Sequence, residues 1–230
     1  MRSASRRERD LRTLPDPAEL ATDRAHAYAA NRDLVSRETW ERLDRFVALL
    51  LERQSVVNLI GPSTAGKVWT RHVADSLQFL SLAPHARRWI DLGSGAGFPG
   101  LVIACALAGQ EGAAVHLIES VQKKAAFLQE CVDALAVPAI VHRVRIEDFV
   151  RTNCVAFDVV TARALAPLEK LVSYASPLLK TGAIGLFAKG QHVDAELTAA
   201  SKYWKIDADL IPSRTEPNGR IVRITRVTKR

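Results

Sequence analysis

The stretch Arg87–Leu107, RRWIDLGSGAGFPGLVIACAL, decides how the rest of the chain is interpreted. An apolar run, RWIDL, leads into a glycine-rich segment and then into a second apolar run. Gly95, Gly97 and Gly100 have the spacing G-x-G-x-x-G, with which dinucleotide-binding folds bring backbone N–H groups close to a pyrophosphate at a helix N-terminus. The stretch therefore predicts a strand, a tight turn and a helix, with a nucleotide-like ligand at the turn.

The same turn also has a second glycine pattern. Asp91, Gly93, Gly95 and Gly97 have the spacing D-x-G-x-G-x-G, which is found in many S-adenosylmethionine (SAM) methyltransferases, and we expect these four residues to bind the cofactor. The dinucleotide pattern requires no acid two residues before the first glycine, so Asp91 favours SAM over NAD. Glu119, which closes the next strand-like run, is placed to accept hydrogen bonds from both hydroxyls of a ribose. Either cofactor would use that carboxylate, so Glu119 does not distinguish them.

Strand-like and helical runs alternate along the chain after Pro84. The strand-like runs are RWIDL, AVHLIE, AIVHRV, AFDVVTARA, AIGLFAKG, IDADLI and RIVRITRV. This α/β alternation predicts a parallel sheet covered on both faces, which binds its ligand at the carboxyl ends of the strands. The last two runs are joined by PSRTEPNG and predict a closing antiparallel hairpin. A seven-stranded, Rossmann-like sheet with this ending fits a class I SAM-dependent methyltransferase.

The segment before Pro84 has a helical pattern. After a plausible cap at Ser36, one apolar stripe comprises Trp40, Leu43, Phe46, Val47, Leu50 and Leu51. We therefore divide the chain into residues 1–84, a basic tail with an N-terminal helical extension, and residues 85–230, the methyltransferase domain. The tail, MRSASRRERDLR, contains Glu8 and Asp10 and no apolar run follows it, so it is not interpreted as a secretory signal.

Composition and charge limit the class of protein and its partners. The 230 residues are 48% hydrophobic, as expected for a globular protein with a sizeable core. No apolar run approaches the ~18 residues of a membrane span. The net charge of +7 predicts an acidic partner, and nucleic acid is the commonest one. Binding of such a polyanion would weaken steeply with salt.

The cysteines indicate a reducing environment. Cys105, Cys131 and Cys154 are odd in number, lack the spacing C-x-x-C, and each lies in or beside an apolar run. We interpret them as reduced core residues of a cytoplasmic protein, without a redox role and without a metal.

Several segments together resemble one known family. They are VVNLIG (56–61), RHVADSL (71–77), WIDLGSGAGFPG (89–100), RVRIEDF (143–149), TARALAPL (161–168) and FAKGQ (187–191). From about Asn31 onward the chain resembles the bacterial small-subunit ribosomal RNA methyltransferase G family, also called glucose-inhibited division protein B. Thr161 and Ile60 stand where that family often has Ser and Thr, and the first twenty residues have no counterpart.

The resemblance implies a reaction and a set of site residues. Members of the family transfer the SAM methyl group to N7 of a guanine in 16S ribosomal RNA, guanine 527. The implied partner is that RNA or the small ribosomal subunit particle, and we expect a monomer. By resemblance, Gly93 and Phe98 contact SAM, Ile146 and Glu147 border its adenine, and Arg163 lies between cofactor and substrate.

The chemistry of N7 transfer favours positioning over acid–base catalysis. Guanine N7 carries an in-plane lone pair and no proton, so no general base is needed and the rate comes from alignment. The chain also lacks the D/N-P-P-Y/F box of amine methyltransferases and the Pro-Cys dipeptide of cytosine-C5 enzymes. Arg163, His72 and Lys189 are the candidate positioning residues, and Asn58, Arg71, Arg163 and Lys189 are the candidate substrate contacts.

Other interpretations of the same residues stay open. His72 and Asp75 are as well explained as packing residues of a helix, and Lys189 as a solvated lysine. The function alternatives are an RNA-binding ribosome-assembly factor that keeps a SAM pocket, a SAM methyltransferase acting on another substrate, and an NAD-dependent oxidoreductase.

Overall fold

A seven-stranded sheet forms the centre of the protein. The computed structural model describes residues 15–230, so the tail MRSASRRERDLR lies outside the described residues. The strands are β1 Arg88–Leu92, β2 Ala114–Ile118, β3 Ala139–His142, β4 Val159–Arg163, β5 Ile184–Lys189, β6 Trp204–Pro212 and β7 Arg220–Lys229. Their order is β3-β2-β1-β4-β5-β7-β6. Strands β1 to β5 are parallel, and β7 is antiparallel to β5 and β6, which confirms the predicted sheet and closing hairpin.

Helices cover both faces of this sheet and form the N-terminal extension. The helices are α1 Pro17–Asn31, α2 Arg37–Gln54, α3 Pro62–Ala65, α4 Asp75–Leu82, α5 Gly100–Leu107, α6 Gln122–Leu135, α7 Ile146–Thr152, α8 Leu168–Lys180 and α9 Val193–Ala200. A π-helix, Trp69–Ala74, leads directly into α4. None of the helices in residues 15–230 is long and apolar enough to cross a membrane.

Helix α2 attaches the extension to the rest of the molecule. The Ser36 hydroxyl accepts a hydrogen bond from the Thr39 amide at 3.3 Å, which confirms the predicted N-terminal cap. The apolar stripe packs on α5 and α6, and the Phe46 ring lies 5.2 Å from the Phe98 ring, centroid to centroid. Leu51, at the edge of the stripe, is only half-buried. Residues on both sides of Pro84 thus share one apolar core.

Asp23 of α1 determines where the π-helix lies. Its carboxylate is 7% exposed and accepts hydrogen bonds from the amides of Trp69 (2.8 Å) and Thr70 (3.2 Å). The Thr70 hydroxyl donates to the second carboxylate oxygen at 2.5 Å. The first amide groups of a helix have no partner within the helix. In the π-helix, two of these amides are satisfied by the Asp23 side chain of α1. The π-helix that bears Arg71 and His72 is held in place by α1.

The cysteines occupy two kinds of environment. Cys105 and Cys131 are buried in α5 and α6, as predicted. The prediction was wrong for Cys154, which is exposed. It follows α7 in a segment outside the helices and strands, so the neighbouring apolar residues are not part of a buried element.

The strand order predicts the position of a crevice at the carboxyl ends of β1 and β4. The chain runs from β1 outward through β2 and β3, then returns to place β4 on the other side of β1. The connection after β1 therefore leads toward β2, and the connection after β4 leads in the opposite direction, toward β5. In open parallel sheets a crevice forms at this reversal of strand order. The glycine-rich turn after β1 and the residue Arg163 at the end of β4 both lie there.

Gly100 provides a test of how closely α5 packs on the sheet. A Cβ at this position would overlap the Leu117 side chain and lie 2.8 Å from the Asp91 carboxylate. We expect Gly100→Ala to lower the free energy of unfolding by about 1–3 kcal/mol, because both neighbours are buried and cannot move away freely. Denaturant unfolding measures this. Gly190→Ala is the control, since a Cβ there meets no atom within 4 Å. Equal stability of the two variants would contradict the described packing.

Candidate functional site

The turn after β1 has a backbone that suits glycine. Gly93, Gly95 and Gly97 have φ angles of +70°, +57° and +96°, all in the left-handed region that other residues rarely adopt. A Cβ at Gly93 would also lie 2.6 Å from a methyl group of Leu165. At these three positions the turn therefore has no side chain beyond the backbone at the carboxyl end of β1.

Glu119 holds this turn from the end of β2. One carboxylate oxygen accepts a hydrogen bond from the Gly95 amide at 3.0 Å, and the other accepts from the Val121 amide at 2.7 Å. The residue is 7% exposed and lines the crevice. Each carboxylate oxygen has a further lone pair, so Glu119 can support the turn and still accept hydrogen bonds from a ligand.

Asp91 lies behind the same turn and serves the fold. It is 1% exposed, and its oxygens accept hydrogen bonds from the Gly100 amide at 3.2 Å and the Thr161 hydroxyl at 2.9 Å. Burial raises the pKa of Asp91 to about 6, although these hydrogen bonds favour the ionised form. The carboxyl group thereby joins β1, β4 and the start of α5. Gly97, which was also predicted to bind the cofactor, lies with it on the protein side of the turn, against Leu101.

The crevice contains a first cavity of about 550 Å³. The predicted cofactor residues found on its wall are Gly93, Gly95, Phe98, Glu119, Ile146, Glu147 and Arg163. Lys170 and Tyr174 of α8 complete the wall beside Glu147. The first cavity therefore brings together residues that follow β1, β2, β3 and β4, all at the carboxyl ends of these strands.

A second cavity of about 460 Å³ adjoins the first. It lies between the π-helix, the end of β5 and the connection from β6 to β7. Among its lining residues are Arg71, Asp75, Lys189, Gln191, Thr215, Glu216 and Arg220. His72, Arg163 and Ala164 line both cavities and form what we call the shared wall. Ala164 has a φ of +52°, a strained conformation for a residue with a side chain, and such strain is concentrated at functional sites.

Arg163 is the centre of the shared wall. Its side chain is 17% exposed. One terminal nitrogen, Nη1, donates to the Asp75 carboxylate at 3.2 Å and to the Arg71 carbonyl at 3.1 Å. The other, Nη2, lies 2.6 Å from Nδ1 of His72. The guanidinium carbon lies 5.3 Å from the centre of the Phe98 ring, within cation–π range. A largely buried cation is thus compensated mainly by the N-terminal extension.

His72 is neutral in this environment. Burial, and after it the positive charges of Arg163 and Arg71, together lower the pKa of His72 to about 3. The imidazole ring stacks on Phe98, with centroids 5.0 Å apart, and its Nε2 lies 2.9 Å from the Thr64 hydroxyl. His72 therefore packs and positions its neighbours without carrying a charge.

The remaining predicted substrate residues have different surroundings. Lys189 donates to the Ala166 carbonyl at 2.8 Å and pairs with Glu196 at 2.6 Å, so its ammonium group braces the segment after β4. Arg71 forms an ion pair with Glu216 of the β6–β7 connection. Asn58 is exposed and precedes the residues at 59–61 that line the first cavity.

Sequence reasoning missed several residues of the site. Thr64, Lys170 and Tyr174 lie outside the motifs recognised in the sequence, and Ala164, although it lies within TARALAPL, has no functional group in its side chain; only the folded arrangement places these residues on the cavities. Within residues 15–230, no cluster of three or more His, Cys, Asp or Glu side chains could hold a metal ion.

Comparison with known sequences gives matches over most of the chain. A family model described as rRNA small subunit methyltransferase G matches residues 39–216. The ribosomal RNA small subunit methyltransferase G of Bradyrhizobium sp. (strain ORS 278) is 56% identical over 212 residues, covering 92% of this chain and 95% of that protein. The protein of the same name from Nitrobacter hamburgensis is 51% identical over 224 residues, covering 96% of this chain and 85% of that protein.

Comparison with solved structures supports the fold. The O-methyltransferase TomG from Streptomyces achromogenes, in complex with SAM, has a TM-score of 0.57 at 14% identity and covers 90% of this chain and 98% of its own. An O-methyltransferase from Bacillus cereus has a TM-score of 0.57 at 13% identity, with coverages of 90% and 100%. At these identities the similarity extends to the fold alone.

The pKa of Asp91 predicts a pH dependence of stability. Because the folded-state pKa of about 6 lies above the ordinary value of 3.8, the folded protein holds this proton more tightly than the unfolded chain. The contribution of Asp91 to the free energy of unfolding is therefore greatest below about pH 4 and falls as the pH rises through about 6. Urea unfolding of the wild type and of Asp91→Asn at a series of pH values isolates this contribution. The wild type should lose stability relative to the variant across that range, and a pH-independent difference would contradict the assignment.

Proposed function

The chain belongs to the rRNA small subunit methyltransferase G family of SAM-dependent methyltransferases, and we propose that it methylates N7 of a guanine in 16S ribosomal RNA by direct transfer from SAM. The proposed target is guanine 527, in the RNA or in the small-subunit particle. The observation that carries this proposal is the pair of adjoining cavities, which meet at His72, Arg163 and Ala164. A methyltransferase needs a binding site for the methyl donor next to a binding site for the methyl acceptor.

The first cavity fits SAM as the donor site. Gly93 and Gly95 line this cavity without side chains, and Glu119 offers carboxylate lone pairs to the ribose hydroxyls. Ile146 provides an apolar border for the adenine. When bound, SAM supplies an electrophilic methyl group on a sulfonium. A volume of about 550 Å³ lies in the range of small-molecule sites.

The second cavity fits a nucleotide of RNA as the acceptor site. Its lining includes the cationic side chains Arg71, Lys189 and Arg220, although Arg71 pairs with Glu216 and Lys189 pairs with Glu196. Cationic groups contribute the sequence-independent part of nucleic-acid affinity by neutralising phosphates. The net charge of +7 on the whole chain supports the same type of partner. An extruded base entering this cavity would bring its edge to the shared wall.

The groups at the shared wall agree with transfer that uses no catalytic base. Guanine N7 already presents a lone pair, so the protein has only to align N7 with the methyl group. His72, with a pKa of about 3, is a weak base near neutral pH. Burial raises the pKa of Cys105 to about 12 and also raises that of Cys131, so neither is a ready nucleophile. The geometry supports positioning as the source of the rate.

The donor-site assignment predicts the effect of losing Glu119. We expect Glu119→Ala to weaken SAM binding roughly ten- to a hundredfold, because it loses hydrogen bonds to a charged acceptor worth about 1.5–3 kcal/mol. Isothermal titration calorimetry measures the affinity. Glu111→Ala, an exposed residue between α5 and β2, is the control and should bind SAM as the wild type does. Since Glu119 also supports the Gly95 amide, thermal unfolding of the variant is recorded alongside. Unchanged affinity for SAM in Glu119→Ala would contradict the donor site.

The reaction itself can be tested on the RNA. Incubation of unmodified 16S ribosomal RNA with SAM and the enzyme, followed by reduction and aniline treatment, should cleave the RNA at one guanine. This follows because a 7-methylguanine ring is cationic and opens where an unmodified ring does not. Replacing Cys105, Cys131 and Cys154 together by Ala should leave this reaction intact if the transfer is direct.

Two other outcomes would overturn this proposal in different ways. Methyl incorporation without a cleavage site would place the methyl group on another atom. Tight binding of RNA and SAM without any turnover, in a single-turnover assay, would favour an assembly factor that keeps a SAM pocket.

A further inference from the structure

The hydrogen bonds around His72 fix which ring nitrogen carries its proton. A guanidinium has only donors, so the contact of 2.6 Å between Arg163 Nη2 and His72 Nδ1 requires Nδ1 to accept. Because the ring is neutral, its single proton is then on Nε2. Nε2 lies 2.9 Å from the Thr64 hydroxyl oxygen, which must therefore accept from it. The direction of both hydrogen bonds follows from the chemistry of arginine.

Thr64 is oriented to accept this hydrogen bond. Its hydroxyl donates to the Gly61 carbonyl at 2.9 Å, so the only hydroxyl hydrogen is committed to the backbone and the lone pairs are left for His72. The amide of Thr64 also donates to the Gly61 carbonyl, at 2.9 Å, which fixes the residue in the short helix α3. The hydrogen bonds thus run in one direction, from Arg163 through His72 and Thr64 to Gly61.

We propose that Thr64 is a positioning residue for methyl transfer: it holds His72 in the Nε2–H tautomer and thereby sets the orientation of the Arg163 guanidinium on the shared wall. This inference rests on the proposed function, since it takes the shared wall as the place where donor and acceptor meet. Within residues 15–230, the protein engages three of the five Arg163 N–H donors, those that reach Asp75, the Arg71 carbonyl and His72. The donors that remain are those available to ligands in the two cavities.

Loss of the Thr64 hydroxyl would release this arrangement. Without the Thr64 hydroxyl, the half-buried Nε2–H group has no acceptor, and nothing compensates for its removal from water. The ring can regain a hydrogen bond by turning toward water. Such a rotation takes Nδ1 away from Arg163 and leaves the guanidinium held only through Nη1. Glu119 and the glycine turn lie on another part of the first cavity wall, so binding of SAM should be affected little.

The test compares Thr64→Val with Thr64→Ser, because valine has the shape of threonine without the hydroxyl and serine keeps the hydroxyl. Nitrogen-15 NMR of histidine-labelled protein, with His72 assigned by its loss in His72→Gln, reports the protonation of each ring nitrogen. The wild type and Thr64→Ser should show Nδ1 unprotonated and Nε2 protonated. In Thr64→Val the two signals should move toward each other, as expected for a mixture of tautomers.

Kinetic measurements complete the test. The single-turnover rate of methyl transfer should fall about tenfold in Thr64→Val and stay near wild type in Thr64→Ser, while the SAM affinity of both changes by less than about twofold. A protonated Nδ1 in the wild type would overturn the proposal, and so would equal rates for the two variants. The wild-type NMR spectrum decides the tautomer without RNA, even if Thr64→Val folds poorly. Absence of RNA methylation by the wild type, with the expected NMR spectrum, would instead count against the proposed function.

Discussion

The structure depends on how one largely buried cation, the Arg163 guanidinium, is satisfied. Arg163 ends β4 at the point where the strand order reverses, and at 17% side-chain exposure it needs partners from the protein. The N-terminal extension provides them through Asp75, His72 and the Arg71 carbonyl. The same contacts separate the two cavities. The residues that compensate the charge of Arg163 therefore also form the wall at which donor and acceptor would meet.

Two carboxylates near the glycine turn have separate tasks because their surroundings differ. Asp91 faces inward, where burial raises its pKa to about 6 and its oxygens join β1, β4 and α5. Glu119 faces the first cavity, where it supports the Gly95 amide and stays accessible to a ligand. The turn is thus fixed from behind by one acid and from the side by the other. Its open backbone is then available for a ligand without further rearrangement.

The sequence predicted those parts of the molecule that local patterns determine. The alternation of strands and helices, the glycine turn and the Ser36 cap depend on residues close in the chain, and the structure confirms them. Contacts between distant residues could not be predicted. The π-helix is set by Asp23, 46 residues before Trp69, and Lys189 is paired with Glu196 of a later helix. The inward direction of Asp91 likewise depends on Thr161, 70 residues away. The glycine pattern therefore predicted where the first cavity lies, whereas the contacts of individual side chains could be described only from the fold.

The most direct test of this account is to measure SAM affinity and methyl transfer in Arg163→Lys. Lysine keeps the positive charge but cannot reach Asp75, the Arg71 carbonyl and His72 together as the guanidinium does. If the shared wall aligns the acceptor with the donor, the single-turnover rate on 16S ribosomal RNA should fall at least about tenfold while SAM affinity, measured by calorimetry on the folded variant, changes by less than about threefold. An equal loss of SAM affinity and rate would show that Arg163 serves only to bind the cofactor, and unchanged transfer would show that the wall does not position the reaction.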